Sequence, residues 1–251
     1  MNKVMIFAAG LGTRLRPLTD HMPKALVPVG GVPLLERLLL KLKASGFTDI
    51  TLNLHHFADQ IAHFLAENGN FGLTIRLSDE RDLLRDTGGG IRHAIPLLQK
   101  DADGSPVLVH NIDILSNADL ASFARQYREG DAATLLVSER QTSRYLLFDD
   151  DLRLVGWTNL RTGEVKSPYP GLDPARCRRY AFSGIHLVSP RLFPSLLEEA
   201  ECFPIIDFYL RMAGKCSIRA FPMPGLRLLD AGKPETLREA DGFLKSLAGT
   251  A

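Results

Sequence analysis

The stretch that decides the fold is VMIFAAGLGTRLRPLTDHMPK, residues 4–24, in which an apolar run leads directly into a loop that contains glycine. The run Val4–Ala8 has no polar side chain, which is the composition of a strand buried on both faces of a parallel sheet. A loop that leaves such a strand lies at the carboxyl edge of the sheet, where α/β proteins bind nucleotides. These residues therefore predict an α/β fold with a ligand site at that edge.

The loop carries groups that suit a polyphosphate. Gly10 and Gly12 lack the Cβ atoms that would keep a ligand from the backbone N–H groups, and Thr13 adds a hydroxyl donor. Arg14 and Lys24 add two positive charges to the same loop. Arginine suits bidentate contact with phosphate oxygens, whereas lysine acts as a mobile point charge. The plain alternative is a glycine turn with a surface arginine and a surface lysine.

Two common phosphate-binding patterns do not match this loop. The dinucleotide pattern G-x-G-x-x-G requires a glycine where the chain has Leu15, and the P-loop pattern G-x-x-x-x-G-K-[ST] is absent. An ordinary turn gives no reason for Pro17, Pro23 and Lys24 to occur at this spacing. The complete string therefore favours a ligand-binding loop of another kind.

Strand and helix patterns alternate from the amino terminus to about Leu136. We predict strands at 4–8, 50–54, 73–77, 107–110 and 133–137, and helices at 33–44, 58–67, 89–98 and 118–128. Such alternation implies right-handed βαβ crossovers and a mostly parallel sheet.

The second half of the chain has a different pattern. Tyr145–Phe148 and Leu152–Val155 flank three aspartates, 149–151, which predict a hairpin turn; a metal site is the alternative for this acidic run. Residues 158–179 predict an irregular loop over a second substrate, followed by a strand at 180–188 and a helix at 205–213. The predicted fold class is one doubly wound, Rossmann-like α/β domain over residues 1–251. It has a mixed, mostly parallel central sheet and a β-rich lobe in its carboxyl-terminal half.

Composition excludes several classes of protein. The chain has 251 residues, of which 45% are hydrophobic and 24% charged, as in ordinary globular domains. The net charge of +1 gives no strong electrostatic attraction to nucleic acid or a membrane surface, so we expect neither as a partner. Met1–Lys3 leads straight into the first strand and no apolar stretch is long enough to span a bilayer, so we expect a cytoplasmic protein. Three cysteines without metal-ligand spacing predict reduced thiols.

Two aspartates are predicted at the same edge as the glycine loop. Asp113 follows the apolar strand that ends near His110, and Asn111 lies between them. Asp230 follows a short strand and precedes the predicted helix that begins at Pro234. Taken alone, each aspartate is equally suited to a turn or a helix cap.

Three consecutive glycines form a further element, in the sequence Asp86-Thr87-Gly88-Gly89-Gly90. Glycines that open a helix are costly in chain entropy, so they indicate that a ligand or another backbone approaches closely. A flexible exposed turn is the alternative.

These elements resemble the sugar-1-phosphate nucleotidyltransferase family. Residues 10–24 are similar to its signature G-x-G-[ST]-R-x-x-P-x-T-x-x-x-P-K. The resemblance implies that the glycine loop wraps a nucleoside triphosphate, that Arg14 contacts the outer phosphates and assists pyrophosphate departure, and that Lys24 lies near the α-phosphate. Asp113 and Asp230 fill the positions of the family's Mg²⁺ ligands, the second within D-x-G-[TK]-P. Arg14, Lys24 and Asp113 are thus the implied catalytic residues.

The resemblance also implies the nucleotide contacts. The implied nucleotide-binding residues are Ala8, Ala9, Gly10, Gly12, Thr13, Gly88, Gly89 and Asn111. Gly88 and Gly89 are the candidates for contact with the base. The string D-T-G-G-G-I resembles the E-T-G-G-G-I of N-acetylmuramate 1-phosphate uridylyltransferases, with Asp86 where glutamate is usual.

The acceptor side is implied by weaker similarities. Ser183 and Gly184 match a [TS]-G-I element whose main chain borders the sugar, and Asp207 lies in a segment whose aspartate suits a sugar contact, a helix cap or a core position. The role of Lys166 stays open because its surroundings differ from the family's E-K pair. A basic cluster is suited either to an acidic sugar or to a solvated loop face; it consists of Arg176, Arg178 and Arg179.

The predicted activity is transfer of a nucleotidyl group from an NTP to a sugar 1-phosphate, which forms an NDP-sugar and pyrophosphate with Mg²⁺ as cofactor. UTP is the favoured nucleotide, and the acceptor is N-acetylmuramate 1-phosphate or another hexose 1-phosphate. The alternatives are guanylyl transfer to mannose or heptose 1-phosphate, cytidylyl transfer to a phosphorylated alcohol, and a regulatory module that binds a nucleotide without turnover. We expect residues 1–137 to bind the nucleotide and residues 138–251 to bind the sugar phosphate; the oligomeric state is left open.

Overall fold

A mixed sheet of ten strands organises the part of the chain that the structure describes, residues 2–101 and 103–248 of a computed structural model. Met1, Ala102 and residues 249–251 of the predicted domain lie outside the described residues. The strands are β1 Lys3–Phe7, β2 Pro28–Val29, β3 Val32–Pro33, β4 Asp49–Leu54, β5 Thr74–Asp79, β6 Val107–Asn111, β7 Ile114–Ser116, β8 Ala133–Ser138, β9 Arg144–Phe148, β10 Leu154–Asn159, β11 Glu164–Lys166, β12 Arg178–Val188, β13 Ile218–Pro222 and β14 Leu228–Asp230. The helices are α1 Leu34–Ala44, α2 Ala58–Glu67, α3 Asp86–Leu98, α4 Leu120–Ala124, α5 Phe193–Leu197, α6 Ile205–Ala213 and α7 Pro234–Ala248.

The sheet has a parallel half and an antiparallel half. Its main path runs β11-β10-β9-β12-β6-β1-β4-β5, and β8 and β13 join it beside β12. The pairs β1–β4, β1–β6 and β4–β5 are parallel, whereas β12 pairs antiparallel with β6, β8 and β9. The carboxyl ends of the parallel strands therefore lie at one edge of the sheet, as the first apolar run predicted.

Apolar side chains cover both faces of the sheet. Along β1, Val4 and Ile6 belong to one buried cluster, whereas Met5 belongs to the other. This alternation follows from the strand geometry, because successive side chains point to opposite faces. Leu39 of α1 lies in the first cluster and Phe208 of α6 in the second. The predicted doubly wound class is confirmed.

Several predicted boundaries are wrong for identifiable reasons. The helix predicted at 118–128 is only Leu120–Ala124, because the amides of Gln126 and Tyr127 bond three residues back rather than four, which tightens and ends the helix. The predicted irregular segment 158–179 contains a hairpin. Gly163, at φ +72°, donates its amide to the carbonyl of Asn159 and reverses the chain into β11.

The hairpin predicted around the three aspartates 149–151 is confirmed, since β9 and β10 pair antiparallel across it. The three cysteines form no disulfide. Among the described residues, no helix combines the length and the apolar character that crossing a bilayer requires.

Candidate active site

A cleft of about 380 Å³ lies at the edge where β1, β4, β5 and β6 end. Six of the residues predicted from the sequence line it: Ala8, Ala9, Gly10, Lys24, Asn111 and Asp113. Residues that belong to none of the sequence motifs also line it, among them Asn53, Glu80 and Cys202. The cleft is therefore built by four strand ends that lie far apart in sequence.

Gly12 shapes the loop that brings Lys24 to the cleft. Its φ is +64°, and a Cβ atom there would lie 2.8 Å from Cγ2 of Thr19 and 3.3 Å from Cβ of Lys24. Thr19 is buried and donates its hydroxyl to the carbonyl of Gly12 at 2.8 Å. Both the dihedral angle and the close approach require glycine at this position. At Gly10, by contrast, an added Cβ would meet no described atom within 4 Å, so this part of the backbone is open to a ligand.

Thr13 and Arg14 lie outside the cleft. They belong to a short 3-10 helix, Thr13–Leu15, which the buried side chain of Leu15 anchors. Both residues are exposed, and the Arg14 guanidinium forms no ion pair with a described residue. The loop thus presents Arg14 to solvent beside the cleft, while Lys24 points inward.

Two buried side chains hold the first loop against the neighbouring strands. Asn53, at the end of β4, accepts the amide hydrogens of Ala8 and Ala9 with its Oδ1 at 2.7 and 3.2 Å. Its Nδ2 donates to Oε1 of Glu80 at 3.0 Å. Because Oδ1 faces two N–H donors, the orientation of the Asn53 amide is determined by its partners.

Glu80 is fully buried, and it follows β5 directly. Burial raises the pKa of its carboxyl group above the usual value, although the bond from Asn53 opposes this effect. Its second oxygen, Oε2, has no hydrogen-bond partner among the described residues. A buried carboxylate oxygen without a donor is costly, so this atom indicates where a polar ligand group would bind.

Lys24, Asp113 and Asp230 meet at Gly232. The Lys24 ammonium forms an ion pair with the carboxylate of Asp113, and both side chains are nearly buried, with 11% and 12% of their surfaces exposed. A Cβ atom at Gly232 would lie 2.7 Å from Lys24 Nζ, 2.7 Å from Asp230 Oδ1 and 2.8 Å from Asp113 Oδ2. The three charged groups therefore surround a small space beside Gly232, which the Cβ atom of any other residue would fill.

Backbone pairing explains this convergence. Strand β14 runs antiparallel to β7, with Asp230 opposite Ile114. The amide of Ala231 donates to the carbonyl of Asp113 at 2.8 Å. Two aspartates that are 117 positions apart are thus joined by a two-stranded ladder.

The donor set around Gly232 fits a hard divalent cation that a phosphate helps to bind. Mg²⁺ takes oxygen ligands and commonly uses one or two protein carboxylates, with phosphates and waters in the other positions. Asp113 and Asp230 supply two carboxylates beside space that a Cβ would fill. Within residues 2–101 and 103–248, no three His, Cys, Asp or Glu side chains are grouped to hold a metal by themselves. The site therefore suits a cation that arrives with phosphate oxygens.

The three glycines of α3 face other protein atoms rather than open space. A Cβ atom at Gly89 would overlap the carbonyl oxygen of Glu201, and one at Gly88 would overlap the ring of Phe203. The amides of Gly88 and Gly89 both donate to the carbonyl of Phe203, at 2.9 and 3.3 Å. Of the two reasons predicted for these glycines, the approach of another backbone is the one observed. Neither glycine is among the residues that line the cleft, and their predicted contact with the base stays a prediction.

Further bonds fasten the segment 201–205 to the start of α3. The amide of Phe203 donates to the carbonyl of Arg85 at 3.3 Å, and the amide of Ile205 donates to Oγ1 of Thr87 at 2.9 Å. Asp86 has a φ of +58°, unusual for a residue with a side chain, and its carboxylate accepts the amide hydrogen of Thr87. Asp86, Thr87 and Cys202 line the cleft, so this junction forms one of its walls.

The residues predicted on the acceptor side have other partners. Ser183 is buried and donates its hydroxyl to the carbonyl of Leu136 at 2.6 Å. Gly184 has a φ of +77°, and a Cβ there would lie 2.8 Å from Nδ2 of Asn111, so Gly184 supports a cleft residue from behind. The Ser183 side chain is thus bonded within the sheet, and a main-chain contact of Ser183 and Gly184 with a sugar stays a prediction.

Asp207 lies in the first turn of α6 and pairs with Lys166, whose Nζ is 3.3 Å from Oδ1. Lys166 also stacks on Trp157, 5.4 Å from the ring centroid. Neither residue lines the cleft. Of the predicted basic cluster, Arg178 pairs with Asp150 at 3.5 Å. The solvated-face interpretation of that cluster agrees with the exposure of Arg176, Arg178 and Arg179.

The fold and the cleft together define a nucleotide-binding α/β protein with a charged site at its sheet edge. Comparison with protein families identifies the class more closely. The model of the family described as "Nucleotidyl transferase" matches residues 3–147, more than half of the chain. The chain therefore belongs to the nucleotidyl transferase family of enzymes, whose members generally use a divalent metal ion.

Individual relatives agree with this family. The N-acetylmuramate alpha-1-phosphate uridylyltransferase of Caulobacter vibrioides is 34% identical over 200 residues, which cover 75% of each chain. The enzyme of the same name from Neisseria meningitidis is 42% identical over 120 residues, or 48% of this chain and 50% of the relative. Among solved structures, HddC of Yersinia pseudotuberculosis in complex with GMP-PN has a TM-score of 0.74 at 24% identity. That match covers 97% of this chain and 100% of HddC, and it shows the shared fold.

Replacing Gly89 with alanine tests the junction between α3 and the segment 201–205. We expect Gly89→Ala to destabilise the fold by roughly 1–3 kcal/mol, because the methyl group meets a backbone carbonyl that cannot rotate away. Urea denaturation measures this change. Gly242→Ala is the matched control, since an added Cβ at this glycine of α7 meets no described atom within 4 Å. If Gly89→Ala is as stable as the wild type, the Glu201 carbonyl does not approach Gly89 as closely as the structure shows.

Proposed function

We propose that the enzyme transfers a nucleotidyl group from a nucleoside triphosphate to a sugar 1-phosphate, releasing pyrophosphate and an NDP-sugar. The observation that carries the proposal is the meeting of Lys24, Asp113 and Asp230 around Gly232 beside a cleft. Such a set of charges suits the transfer of a phosphate group. A protein that only senses a nucleotide needs affinity but gains nothing from groups that act on the α-phosphate.

The mechanism relies on charge and position. The nucleophile is an oxygen of the acceptor phosphate, which is already an anion, so no side chain has to act as a general base. Its attack on the α-phosphate forms the new P–O bond while the bond to pyrophosphate breaks. Lys24 offsets the negative charge that develops at the α-phosphate, and Arg14 meets the outer phosphates that leave. Asp113 and Asp230 would hold Mg²⁺, which would neutralise phosphate charge when bound.

We assign the triphosphate and base to residues 1–137 and the acceptor to residues 138–251. The first half supplies the loop of Gly10, Gly12 and Thr13 together with Asp113, and the second supplies Asp230. Residues from both halves meet at the charged site because β14 pairs with β7. Transfer between two substrates held on either side of this point follows from the arrangement.

The base is proposed to be uracil. Glu80 borders the cleft, and its buried Oε2 is an acceptor that lacks a donor among the described residues. The imide N–H of uracil would supply that donor, whereas the corresponding ring nitrogen of cytosine is an acceptor and would oppose the carboxylate. The names of the Caulobacter and Neisseria relatives also support UTP and N-acetylmuramate 1-phosphate, or another hexose 1-phosphate. Guanine offers an imide N–H as well, so guanylyl transfer is the second candidate.

A matrix of nucleotides against sugar 1-phosphates tests the proposed reaction. We expect pyrophosphate release to require both substrates and Mg²⁺, with kcat/KM for UTP exceeding that for GTP by more than about tenfold, or 1.4 kcal/mol. Asp113→Asn removes one charge at the same volume and is expected to lower kcat by roughly 10²-fold. If UTP binds tightly but no pyrophosphate is released with any acceptor, the proposal is contradicted and a regulatory module is favoured.

The variant Glu80→Gln tests the assignment of the base. Asn53 donates to Oε1, so in the variant the amide nitrogen takes the position of Oε2 and presents donors to the imide N–H. We expect kcat/KM for UTP to fall at least about tenfold, and the ratio of UTP to CTP turnover to fall further. Steady-state kinetics with both nucleotides measure this, with thermal unfolding as a check on folding. An unchanged ratio would mean that Glu80 does not contact the base.

A further inference from the structure

A second cavity lies at the carboxyl ends of β8 and β13. It has a volume of about 380 Å³ and is bounded by Ser138, Glu139, Tyr180 and the turn 222–226. Strand β12 runs antiparallel to both β6 and β8, so β8 points in the same direction as β6. Strand β13 is parallel to β8. This cavity therefore opens at the same edge of the sheet as Asp113, on the side of the carboxyl-terminal half.

The wall of this cavity is continuous with the charged site. The turn 222–226 leads into β14, which ends at Asp230. Leu226 and Asp230 are four positions apart, and even a fully extended chain of that length spans at most about 14 Å. This bound places the turn that lines the cavity within about 14 Å of Asp230, along the chain that joins the two sites.

The groups in the cavity suit a ligand rich in hydroxyl groups. Ser138 is buried, with 8% of its surface exposed, and its Oγ has no hydrogen-bond partner among the described residues. The exposed carboxylate of Glu139 is bonded to none of them either. Tyr180 offers an aromatic face, half-buried against Phe148. A carboxylate, a free hydroxyl and an aromatic ring together can accept hydroxyl protons and pack against the C–H face of a sugar ring.

The charge of the cavity distinguishes it from a phosphate site. None of the described residues that line it is lysine, arginine or histidine, and Glu139 makes it negative. An anionic phosphate is repelled here and attracted to Lys24, whereas uncharged hydroxyl groups are accepted. The two sites thus divide a sugar 1-phosphate into its two chemical parts.

From these observations we propose that Ser138 and Glu139 bind the hydroxyl groups of an acceptor sugar whose ring carries no charge, with Tyr180 beneath that ring. Within the proposed acceptor class this favours a neutral hexose 1-phosphate, because Glu139 would repel the carboxylate of N-acetylmuramate. The proposal rests on the proposed function and locates its acceptor in a place other than the side chains of Ser183 and Asp207, which have partners of their own. Ser138 and Glu139 are then the residues that determine which sugar is accepted.

Kinetics of Glu139→Ala and Ser138→Ala test the subsite. We expect each change to raise KM for the sugar 1-phosphate about tenfold or more while leaving KM for UTP within about twofold. The reason is that each variant loses a hydrogen bond to a sugar hydroxyl, and UTP does not make that bond. Glu139→Gln keeps the size of the side chain and one acceptor oxygen, so its KM for the sugar 1-phosphate is expected to lie between those of Glu139→Ala and the wild type. Glu198→Gln, an exposed glutamate just after α5, is the matched control. Unchanged KM for the sugar 1-phosphate in both alanine variants would overturn the proposal.

A binding experiment separates failure of the subsite from failure of the proposed function. Saturation-transfer NMR with an unphosphorylated hexose or N-acetylhexosamine reports contact with the ring and requires no turnover. We expect saturation transfer from the wild-type protein to the sugar, and we expect this transfer to be lost in Glu139→Ala and kept in Glu198→Gln. If the wild type turns over no sugar 1-phosphate, this difference still supports the subsite, whereas equal transfer in all three proteins overturns it.

Discussion

The carboxylate of Asp113 is nearly buried at the edge of the sheet, and a charge in that position needs a partner of opposite sign. Lys24 is that partner, and much of the surrounding structure follows from bringing it there. The loop after β1 folds back on itself at Gly12, where Thr19 and Lys24 come too close for any side chain. Gly232 leaves room on the other side, where Asp230 approaches the same pair. This ion pair lies at the centre of the site that we propose for phosphate oxygens and a cation.

The cleft depends on a second constraint, which joins the two halves of the chain. The segment 201–205 lies so close to the start of α3 that Gly88 and Gly89 admit no Cβ atom, and four backbone or side-chain hydrogen bonds hold it there. Cys202 in this segment lines the cleft, while α6 continues from it into the carboxyl-terminal core. The shape of the nucleotide side is therefore set in part by residues that lie more than 100 positions further along the chain.

This arrangement explains which features could be predicted from the sequence. The first strand, its loop and Asp113 could be predicted from local patterns, in which an apolar run is followed by polar residues. Their common location could be predicted because the carboxyl ends of parallel strands lie at one edge of the sheet. Asn53 and Glu80 carry no motif. Their meeting depends on the register of β4 against β5, in which Leu54 pairs with Asp79, and on the two amides that Asn53 accepts. The contact of Gly89 with Glu201 has no local signal beyond the glycine itself, so the sequence left open whether a ligand or a backbone approached it.

We propose that Lys24 occupies the place where a cation and the α-phosphate act, and the variant Lys24→Met is the sharpest test of this position. Electron paramagnetic resonance can follow the binding of Mn²⁺ to the protein without nucleotide, with Lys43→Met as a control on an exposed lysine of α1. We expect Lys24→Met to bind Mn²⁺ more tightly than the wild type, because a competing positive charge is gone, while kcat for pyrophosphate release falls by roughly 10²-fold. Mn²⁺ affinity and turnover that both equal those of the wild type would contradict it.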